Sequence, residues 1–394
     1  MNRRSVFDVA VVGAGMVGSA AALALARSGL RVVALDERTP AAWDEGDEVD
    51  LRVVAIAPSS ADFLADIGVW PRIAGARSCA YRHMHVWDAE NGAAIDFDAA
   101  EHARGELGWI VENRLVQLAL AQAIEADGRI ETRWPARVVA TSVEGGVRRL
   151  ELNDDSRIAA RLVIAADGAA SPLRALVDID THGHSYGQRA LVAHVGTERP
   201  HEATAWQRFL PGGTLAFLPL RDGRSSIVWS LPDAECDRLL ALDDAAFCAE
   251  LGCAFDFRLG PITSVTRRAA FPLQLQLARR YLAPRLALVG DAAHQVHPLA
   301  GQGVNLGFRD VACLVETIAQ AHQDGRDFAA ETTLRRYERR RRSDNTLSAF
   351  GFDAINRLFR SQFEPLVVLR GAGVRLVNAL SPLKRLLAGH AAGR

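Results

Sequence analysis

Residues 8–36 read DVAVVGAGMVGSAAALALARSGLRVVALD, and this stretch decides the fold. A short apolar run, typical of a buried strand, leads into a GxGxxG motif, an Ala/Leu-rich helix and a second apolar run that ends at Asp36. In a βαβ unit the glycines form a tight turn, admit a pyrophosphate and let the helix pack on the strand, while the acid holds ribose hydroxyls. The stretch therefore predicts a dinucleotide-binding unit. Its expected ligand contacts are Gly13, Gly15, Met16, Val17, Gly18, Asp36 and Glu37.

A second glycine-rich turn lies in residues 285–310, which read RLALVGDAAHQVHPLAGQGVNLGFRD. A short apolar run predicts a strand that ends at Gly290-Asp291, and a helix follows. The glycines at the start of this helix are Gly301, Gly303 and Gly307. Glycines let a ligand approach the backbone, and the free N–H groups of a helix start favour an anionic or electron-rich group. Taken alone, the turn also fits a strand-turn-helix whose glycines serve only packing.

Composition limits the class of protein. A length of 394 residues allows two or three domain-sized units, and 49% hydrophobic with 24% charged residues is typical of globular proteins. A net charge of −1 gives no indication of nucleic acid binding. Five cysteines without CxxC pairs argue against disulfides and zinc, so we expect reduced, mostly buried thiols and no metal site. We expect neither a signal peptide nor a membrane-spanning helix, which needs roughly 18 apolar residues.

Further polar positions are candidates for ligand contact. A buried strand in residues 160–174 ends at Asp167-Gly168, which we expect to close over the cofactor and its reductant and not to be a plain turn. Arg52 follows an acidic loop and is either a surface arginine or a guanidinium that lies on the pyrophosphate. Asn113 begins a helix from which its side chain can reach the cofactor.

Alternating apolar and polar residues predict a second sheet, mostly antiparallel, that is assembled from two separate segments. Asn91-Gly92 marks a hairpin in the first segment, and an acidic helix at about residues 233–251 interrupts the second. We therefore expect a discontinuous dinucleotide-binding domain, a substrate-binding sheet domain and a helical end. Their boundaries are 1–75, 111–181 and 276–330 for the first, 76–110 and 182–275 for the second, and 331–394 for the third.

Aromatic and histidine residues of the second sheet have two interpretations. The aromatic side chains either line an apolar substrate chamber or, as we expect for most of them, pack in the core. They are Trp206, Phe209, Phe217 and Trp229. His83 and His85 share a strand face, but no third ligand is apparent. We interpret them as surface or ligand-facing histidines and not as a metal site.

The C-terminal region is predicted to be helical and basic. Residues 335–342, RRYERRRR, fit a solvated helix face as well as a functional surface. Residues 366–394 contain no acidic residue, and cations alternate with Leu and Val at helical spacing. These cations are Arg370, Arg375, Lys384 and Arg385. Such an end can lie on an anionic membrane, bind a partner or cover the core.

Three motifs resemble, in their order and spacing, those of the flavin-dependent aromatic-ring hydroxylases. They are GxGxxG with the acid Asp36, the strand end Asp167-Gly168 and the strand end Gly290-Asp291. More specifically, HPLAGQG at 297–303 with Asn305, Gly307 and Asp310 is similar to the ubiquinone-biosynthesis hydroxylases. The likeness covers essentially the whole chain. Its other segments are LRVVAI (51–56), IGVW (67–70), VEN (111–113), LAFLPL (215–220), SIVWSL (226–231) and RLALVGDAAH (285–294).

This resemblance implies an α/β fold, in which a Rossmann-type FAD-binding domain carries an inserted, mostly antiparallel β-sheet substrate domain and C-terminal helices. It implies FAD, NAD(P)H as transient reductant, and O₂, which together hydroxylate a polyprenylated phenol or benzoquinol through a flavin C4a-hydroperoxide. We expect the branch that hydroxylates ring position C5 of a 2-polyprenylphenol. The alternatives are 2-polyprenyl-3-methyl-6-methoxy-1,4-benzoquinol, toward which FRDV (308–311) and the arginine-rich helix point, and 2-polyprenyl-6-methoxyphenol.

The resemblance also implies roles for residues. The first glycine turn would hold the pyrophosphate, with Arg52 nearby, and Asp36 the adenosine ribose. Asp291 would bind the ribityl or phosphate region, and the backbone at Gly303 and Val304 would face the flavin pyrimidine. Asn113 stands where the superfamily more often has arginine or glutamine. The other expected contacts are Asp167, Gly168, Gly290, Gly301 and Asn305, with His297 and Pro298 as flavin-facing candidates, while His194, Tyr186 and Arg189 are conjectures for acid–base roles.

Two rival functions stay open. One is a flavin oxidase or halogenase, although a halogenase is expected to place a lysine between flavin and substrate, and Lys384 is the only lysine. The other is a non-catalytic flavin-fold component of a quinone-biosynthesis complex. We expect a cytoplasmic protein that associates peripherally with the inner membrane through its C-terminal helices, with other quinone-biosynthesis proteins as possible partners.

Overall fold

The computed structural model describes residues 6–102, 105–297, 303–380, 382–385, 389 and 392–393. Its strands are β1 Val6–Val12, β2 Val32–Leu35, β3 Val53–Ile56, β4 Cys79–Tyr81, β5 His83–Asp88, β6 Ala94–Asp98, β7 Gly108–Glu112, β8 Ile130–Arg133, β9 Val138–Glu144, β10 Val147–Leu152, β11 Arg157–Ala165, β12 Thr181–Thr197, β13 Thr204–Leu210, β14 Gly213–Pro219, β15 Ser225–Pro232, β16 Ile262–Val265, β17 Ala269–Ala278, β18 Leu282–Ala283, β19 Leu286–Leu288 and β20 His294–Gln295. Its α-helices are α1 Met16–Arg27, α2 Pro58–Asp66, α3 Trp70–Gly75, α4 Asn113–Ala126, α5 Pro172–Leu176, α6 Asp233–Ala241, α7 Asp244–Ala254, α8 Gly303–Gln323, α9 Glu331–Arg360 and α10 Glu364–Ala379.

The first sheet contains the predicted βαβ unit. Strands β8, β2, β1, β11 and β19 lie side by side and parallel, with β18 antiparallel at one edge. Val9 of β1 pairs with Val32 on one side and Leu162 on the other, and all three are fully buried. Strands buried on both faces read as continuous apolar runs, which is why residues 9–12 and 32–35 were recognisable in the sequence. The small residues of α1 let that helix pack closely on the sheet.

The second sheet has nine strands in the order β20-β17-β12-β15-β14-β13-β5-β6, with β16 beside β12. It is antiparallel except where β13 runs parallel to β5, so the mostly antiparallel prediction is confirmed. Gly92, at φ +64°, lies in the turn between β5 and β6, as the Asn-Gly pair predicts. The single acidic helix predicted at 233–251 is wrong. It is two helices, because Asp243 caps a new one by accepting a hydrogen bond from the N–H of Ala246.

The two faces of the second sheet differ. One face packs on α6 and α7, and its core includes Trp206, Phe217 and Trp229. Phe217 stacks on Phe255 with the ring centroids 3.7 Å apart. Phe209 points the other way and stacks on Phe359 of α9 at 3.8 Å. Core packing is therefore confirmed for most of the four aromatic residues.

A third, small sheet, β3-β7-β4, lies beside the other face of the second sheet. Ala55 and Ile110 of this small sheet form an apolar cluster with Leu220, against which Leu218 packs. The proposed domain boundaries at 76, 111, 182 and 276 remain a proposal. They run close to the borders between sheets, except that β20 pairs with β17 of the second sheet although it lies within 276–330.

Among the described residues, none of the helices combines the length and the apolar character that a membrane crossing requires. The cysteines are all free thiols. Only Cys236 is buried, whereas Cys253 is exposed and the other three are half-buried. The expectation of mostly buried thiols was therefore wrong.

Candidate active site

The two glycine-rich turns lie in direct contact. Val17, in the first turn of α1, faces both Gly290 and Gly307. A Cβ on Gly290 would lie 3.1 Å from Cγ1 of Val17, and a Cβ on Gly307 would lie 2.6 Å from its Cγ2. Any larger residue at either position would push the turns apart. The two turns are thus close enough to contact one extended ligand.

The first turn is shaped for a close ligand. Gly13 has φ +99°, and a Cβ there would lie 2.3 Å from the carbonyl oxygen of Ala166. A Cβ on Gly18 would lie 1.8 Å from the carbonyl oxygen of Gly13, so both positions require glycine. At Gly15, by contrast, no atom of the described chain lies within 4 Å of the Cβ position. This open space, at the uncapped start of α1, fits a pyrophosphate on free N–H groups.

Asp36 lies at the end of β2, beside the first turn. Its carboxylate accepts hydrogen bonds from the N–H of Ala14 at 2.6 Å and from the N–H of Arg38 at 2.8 Å. These bonds fix the carboxylate next to the open space at Gly15, which is the position that a ribose contact requires. Glu37 is exposed, and Met16 is half-buried.

Asp291 lies in the short 3₁₀ turn Gly290–Ala292 that follows β19. Asp291 is exposed to solvent, yet protein atoms packed around its carboxylate remove part of its hydration. This loss of hydration raises the pKa of Asp291, while the positive charges of His294 and Arg52 oppose the rise. Arg52 is also exposed, with its guanidinium 5.4 Å from the ring centre of Phe271. Arg52 directly precedes β3, and its charge acts on Asp291, so this segment and the second glycine turn lie close together.

Behind this turn lies a buried ionic network. Asp310 of α8 accepts hydrogen bonds from the N–H of Gly290 at 3.0 Å, from Nε of Arg341 at 2.8 Å and from Nδ2 of Asn345 at 2.9 Å. Nε2 of His294 lies 2.5 Å from the same carboxylate. Burial alone would raise the pKa of Asp310, but His294, Arg341 and Asn345 outweigh it and hold that pKa at about 2. The network fixes the second turn against α8 and α9.

Sequence reasoning missed this network. The cationic run 335–342 fits either a solvated helix face or a functional surface, and neither interpretation applies to Arg341, because this residue is buried. Other members of the run do lie on the surface, where Arg336 and Arg340 approach Glu316 at 3.6 and 3.5 Å. The available clue was the spacing of Arg341 and Asn345, which places two polar side chains on one helix face.

Asn113 begins α4, next to the buried Glu112. Glu112 forms a two-point ion pair with Arg77, with both N···O distances at 2.9 Å, and also accepts from the N–H of Asp50. Asn113 is 8% exposed, and its Oδ1 has no hydrogen-bond partner within the described part of the chain. A buried amide oxygen without a partner is costly, so a hydroxyl-bearing ligand at this point fits the site.

Asp167 lies against the first turn, since a Cβ on Gly13 would be 2.7 Å from the backbone nitrogen of Asp167. The carboxylate of Asp167 accepts from Oγ of Ser171 at 2.5 Å and from the N–H of Leu173 at 2.9 Å, so it is used in starting α5. Burial raises the pKa of Asp167, and these two hydrogen bonds oppose the rise. Arg174 bonds the carbonyls of Ala169 and Ala292, and so connects this loop to the turn that carries Asp291.

The start of α8 faces the same region. Gly303 and Val304 are half-buried, and Asn305 is buried. The amide of Asn305 accepts from the N–H of Ala57 at 2.9 Å and donates to the carbonyl of Ala55 at 2.8 Å. Asn305 therefore connects α8 to the segment after Arg52. The expected contacts Pro298 and Gly301 lie outside the described residues.

His297 lies between the second turn and α8. It is 1% exposed, and the edge of its ring contacts Tyr186 with the centroids 5.0 Å apart. Burial, with a further effect of Arg360, lowers the pKa of His297 to about 4. Burial and the charge of Asp353 raise the pKa of Tyr186 to about 12. Both side chains are therefore neutral near pH 7.

The second sheet presents an apolar surface toward these turns. Val192, Val228 and Ala216 lie side by side across three strands, on the face opposite α6 and α7. His194 is on this face too, and its Nε2 lies 3.1 Å from the carbonyl oxygen of Asp50, near Arg52. Burial lowers the pKa of His194. Through His194 and Asp50, this face of the sheet therefore borders the segment whose Arg52 acts on Asp291.

Other candidate positions lie away from this space. His83 and His85 pair with Asp98 and Asp96 across the β5–β6 hairpin, at 3.5 and 2.5 Å. Arg189 pairs with two acidic residues of α6. Within the portion of the chain that the structure describes, no group of His, Cys, Asp and Glu is arranged to hold a metal ion.

Comparisons with known proteins agree with this geometry. Residues 6–346 match the family described as FAD binding domain. The chain is 38% identical over 386 residues to the 3-demethoxyubiquinol 3-hydroxylase of Escherichia coli (strain K12), with 98% of each chain covered. It is 39% identical over 388 residues to the ubiquinone hydroxylase UbiL of Rhodospirillum rubrum, covering 98% of this chain and 90% of that one. The crystal structure of p-nitrophenol 4-monooxygenase PnpA from Pseudomonas putida is similar in fold, with a TM-score of 0.79, 20% identity and 99% of both chains covered.

Proposed function

The chain belongs to the family of FAD-dependent ubiquinone-biosynthesis hydroxylases, and from this premise we propose that it hydroxylates the ring of a polyprenylated phenol or benzoquinol. The enzyme is an FAD-dependent monooxygenase, which uses NAD(P)H as reductant and O₂ as oxygen source. The observation that carries the proposal is the contact of Val17 with Gly290 and Gly307, since it brings both glycine turns within reach of one FAD.

The described residues fit FAD along its whole length. The open space at Gly15 and the start of α1 would take the pyrophosphate, with Arg52 beside it, and Asp36 would take the adenosine ribose. Asn113, whose Oδ1 has no partner in the described chain, would accept a hydrogen bond from the ribityl chain, near Asp291. The backbone of Gly303 and Val304 would face the pyrimidine ring, where the start of α8 favours negative charge. FAD, when bound, supplies the redox and oxygen-transfer chemistry, and the protein orients the substrate and excludes water.

The apolar row Val192, Val228 and Ala216 supports a ring substrate with an apolar tail, because it offers few polar contacts. Two substrates are candidates. The 2-polyprenylphenol, hydroxylated at C5, is the one that the sequence favours. A polyprenylated methoxy-methyl-benzoquinol is favoured by the name of the E. coli relative, which matches the chain over 98% of both lengths.

We also propose contact with a membrane, through exposed apolar side chains rather than through cations. Nine of the fourteen exposed large apolar side chains among the described residues lie between Leu347 and Leu383. Five of them lie on α10 and just beyond it, and we call these five residues the apolar C-terminal surface: Val368, Leu369, Leu376, Leu380 and Leu383. A polyprenyl tail is stored in a bilayer, and a surface of this kind can enter the headgroup boundary. The protein would then be cytoplasmic and peripherally bound to the inner membrane.

The cations of this end bind other parts of the chain, which supports the alternative that the end covers the core. Arg370 is buried in an ion pair with Asp88, with Nε 2.6 Å from Oδ2, and Lys384 pairs with Glu101 at 2.7 Å. Arg375 donates to the carbonyl of Asn91. These groups connect the C-terminal helices to the rest of the protein.

The proposed function can be tested with purified protein and with cells. We expect yellow protein with stoichiometric FAD, NAD(P)H consumption that a prenylphenol stimulates, and a product that gains one oxygen atom. The gene can also be introduced into strains that each lack one quinone hydroxylase. The masses of the intermediates that accumulate would identify which ring carbon the protein hydroxylates. Purified protein that is colourless, and stays colourless when FAD is added, would favour a non-catalytic component of a quinone-biosynthesis complex. NAD(P)H consumption without an oxygenated product would favour an oxidase.

A further inference from the structure

Unpartnered polar atoms are concentrated at one buried interface, between α9, β12 and the segment that follows β20. Within the described ranges these atoms lie in five residues and make no hydrogen bond of normal geometry, although Asp353 is near enough to Tyr186 to raise the pKa of its hydroxyl. They are Nδ1 and Nε2 of His297, the hydroxyls of Tyr186 and Ser348, Oδ1 of Asp353, and both amide atoms of Asn356. His297 and Asn356 are each only 1% exposed.

Contacts place Tyr186, His297 and Asp353 near one another, and Ser348 and Asn356 lie on the same helix as Asp353. Tyr186 meets His297 edge-on at 5.0 Å and His184 at 4.8 Å, and Nε2 of His184 lies 3.6 Å from Oδ1 of Asp353. Asp353 is also paired with Arg357 at 2.9 Å through its other oxygen. Positions 348, 353 and 356 of α9 lie on roughly one face of that helix. The apolar side chains between this face and strands β12 and β17 belong to one cluster. Its members are Leu275, Leu277, Val296, Leu306 and Ala349, with Tyr186 and Phe352 packed against them.

The cluster lies at the redox end of the proposed FAD site. In the sequence, His297 lies between Asp291 and Gly303, the two positions assigned to the ribityl and pyrimidine parts. The preceding residues, β20, pair with β17 and so extend the second sheet toward the glycine turn. Tyr186 lies where the pairing of β12 with β17 shifts register, and the next residue, Gly187, has φ +60°. Irregularities of this kind redirect side chains next to active sites.

The chemistry of the cluster selects a ligand class. A neutral histidine offers one donor and one acceptor, a tyrosine hydroxyl and an asparagine amide offer both, and a carboxylate only accepts. Buried groups of this type are normally satisfied, since each one left without a partner is costly. A phenol or quinol hydroxyl donates one bond and accepts others, so it matches this set, whereas a purely apolar ring does not.

We propose that His297, Tyr186 and Asn356 form the polar end of the substrate site, where they hydrogen-bond a ring hydroxyl of the phenol or quinol and so set which ring carbon faces the flavin. This inference rests on the proposed function. The three are specificity-determining residues, which act on the orientation of the ring.

The test compares two probes, 2-(3-methylbut-2-enyl)phenol and its O-methyl ether, in which a methyl group replaces the hydroxyl hydrogen so that the ring oxygen cannot donate a hydrogen bond. Dissociation constants are measured from flavin spectral changes in the FAD-loaded enzyme. The wild-type enzyme should bind the phenol roughly tenfold more tightly than the ether, the effect of one well-made hydrogen bond. His297→Leu and Asn356→Leu should lose most of this preference, and His297→Asn, which keeps polar atoms, should retain more of it.

The controls separate the possible failures. His322→Leu, at an exposed histidine near the end of α8, should keep the wild-type preference. Bound FAD and an unchanged thermal transition would show that each variant is folded. If His297→Leu keeps the full preference, ordered water satisfies the cluster and the inference is wrong, while the proposed function stands. If the wild-type enzyme responds to neither probe, the proposed function itself fails.

Discussion

Val17 and Gly307 are in contact, although they belong to helices that are far apart in the sequence. A Cβ on Gly307 would lie 2.6 Å from Cγ2 of Val17, closer than two carbon atoms can approach. Valine is stiff about its first side-chain torsion, so it cannot move aside freely. The spacing between the two glycine turns, and with it the span available to FAD, depends on this contact.

Gly307→Ala should therefore separate the turns. We expect a loss of about 1–3 kcal/mol in the free energy of unfolding, which is the usual cost of overpacking, together with weaker FAD binding. Thermal unfolding and flavin fluorescence measure the two effects. Gly351→Ala is the matched control, because no described atom lies within 4 Å of its Cβ position in the middle of α9. It should be neutral or stabilising by up to ~1 kcal/mol. A Gly307→Ala protein that melts and binds FAD like wild type would contradict the role given to the contact.

Asp291→Ala should weaken FAD retention. The carboxylate stands at the second turn where the ribityl chain is proposed to lie, and loss of a hydrogen bond from a charged group lowers affinity by roughly tenfold or more. Equilibrium dialysis of the apoprotein against FAD gives the dissociation constant. Asp62→Ala, at an exposed position of α2, should leave it unchanged. Stoichiometric flavin in Asp291→Ala after dialysis would show that this residue is wrongly assigned.

The βαβ unit was predictable because strand, glycine turn, helix and second strand follow one another within 29 residues, so local pattern defines them. The Asp310 network was not, since its partners at 294, 341 and 345 come together only in the folded chain. The sequence also did not predict which face of the second sheet packs on helices. Alternation places Trp229 and Val228 on opposite faces, but it does not indicate which of the two lies on the face that α6 and α7 cover. Likewise, Arg370 reads as a surface cation until Asp88 is placed beside it.

The Asp310 network predicts a pH dependence of stability. The folded-state pKa of Asp310 is about 2, below its usual 3.8, so the charged form stabilises the fold above pH 4. That stabilisation should be lost as the pH falls from 3.8 toward 2. Asp310→Asn should lower the free energy of unfolding at pH 7 by about 3–5 kcal/mol, because Arg341 loses its buried carboxylate partner and keeps only Asn345 and the half-buried Asp344. Urea titrations at several pH values should show this difference shrinking below pH 4.

Asp324→Asn, at an ion pair on the surface, should change stability by less than ~1 kcal/mol. A difference for Asp310→Asn that stays constant down to pH 2 would contradict the assignment.

The apolar C-terminal surface should control membrane binding. Deleting residues 366–394 is a poor test, since it would leave Asp88 buried without Arg370 and remove the contact of Ala392 with Ser59. The double substitution Leu369→Gln and Leu376→Gln changes only exposed side chains. Each leucine that no longer enters the lipid should lower partitioning by on the order of tenfold, with FAD still bound.

Co-sedimentation with vesicles of phosphatidylcholine and phosphatidylglycerol measures this partitioning. Arg375→Gln is the control for charge, and it should have a small effect, as should added salt, because the contact is apolar and not electrostatic. A strong loss of vesicle binding in Arg375→Gln, or on addition of salt, would show that the cations and not the apolar side chains bind the membrane. If the double variant binds vesicles like wild type, lipid is not the occupant of this surface. The surface would then be expected to bind another protein of quinone biosynthesis. Gel filtration of a lysate mixed with tagged protein would detect such a complex, and the double variant should fail to form it.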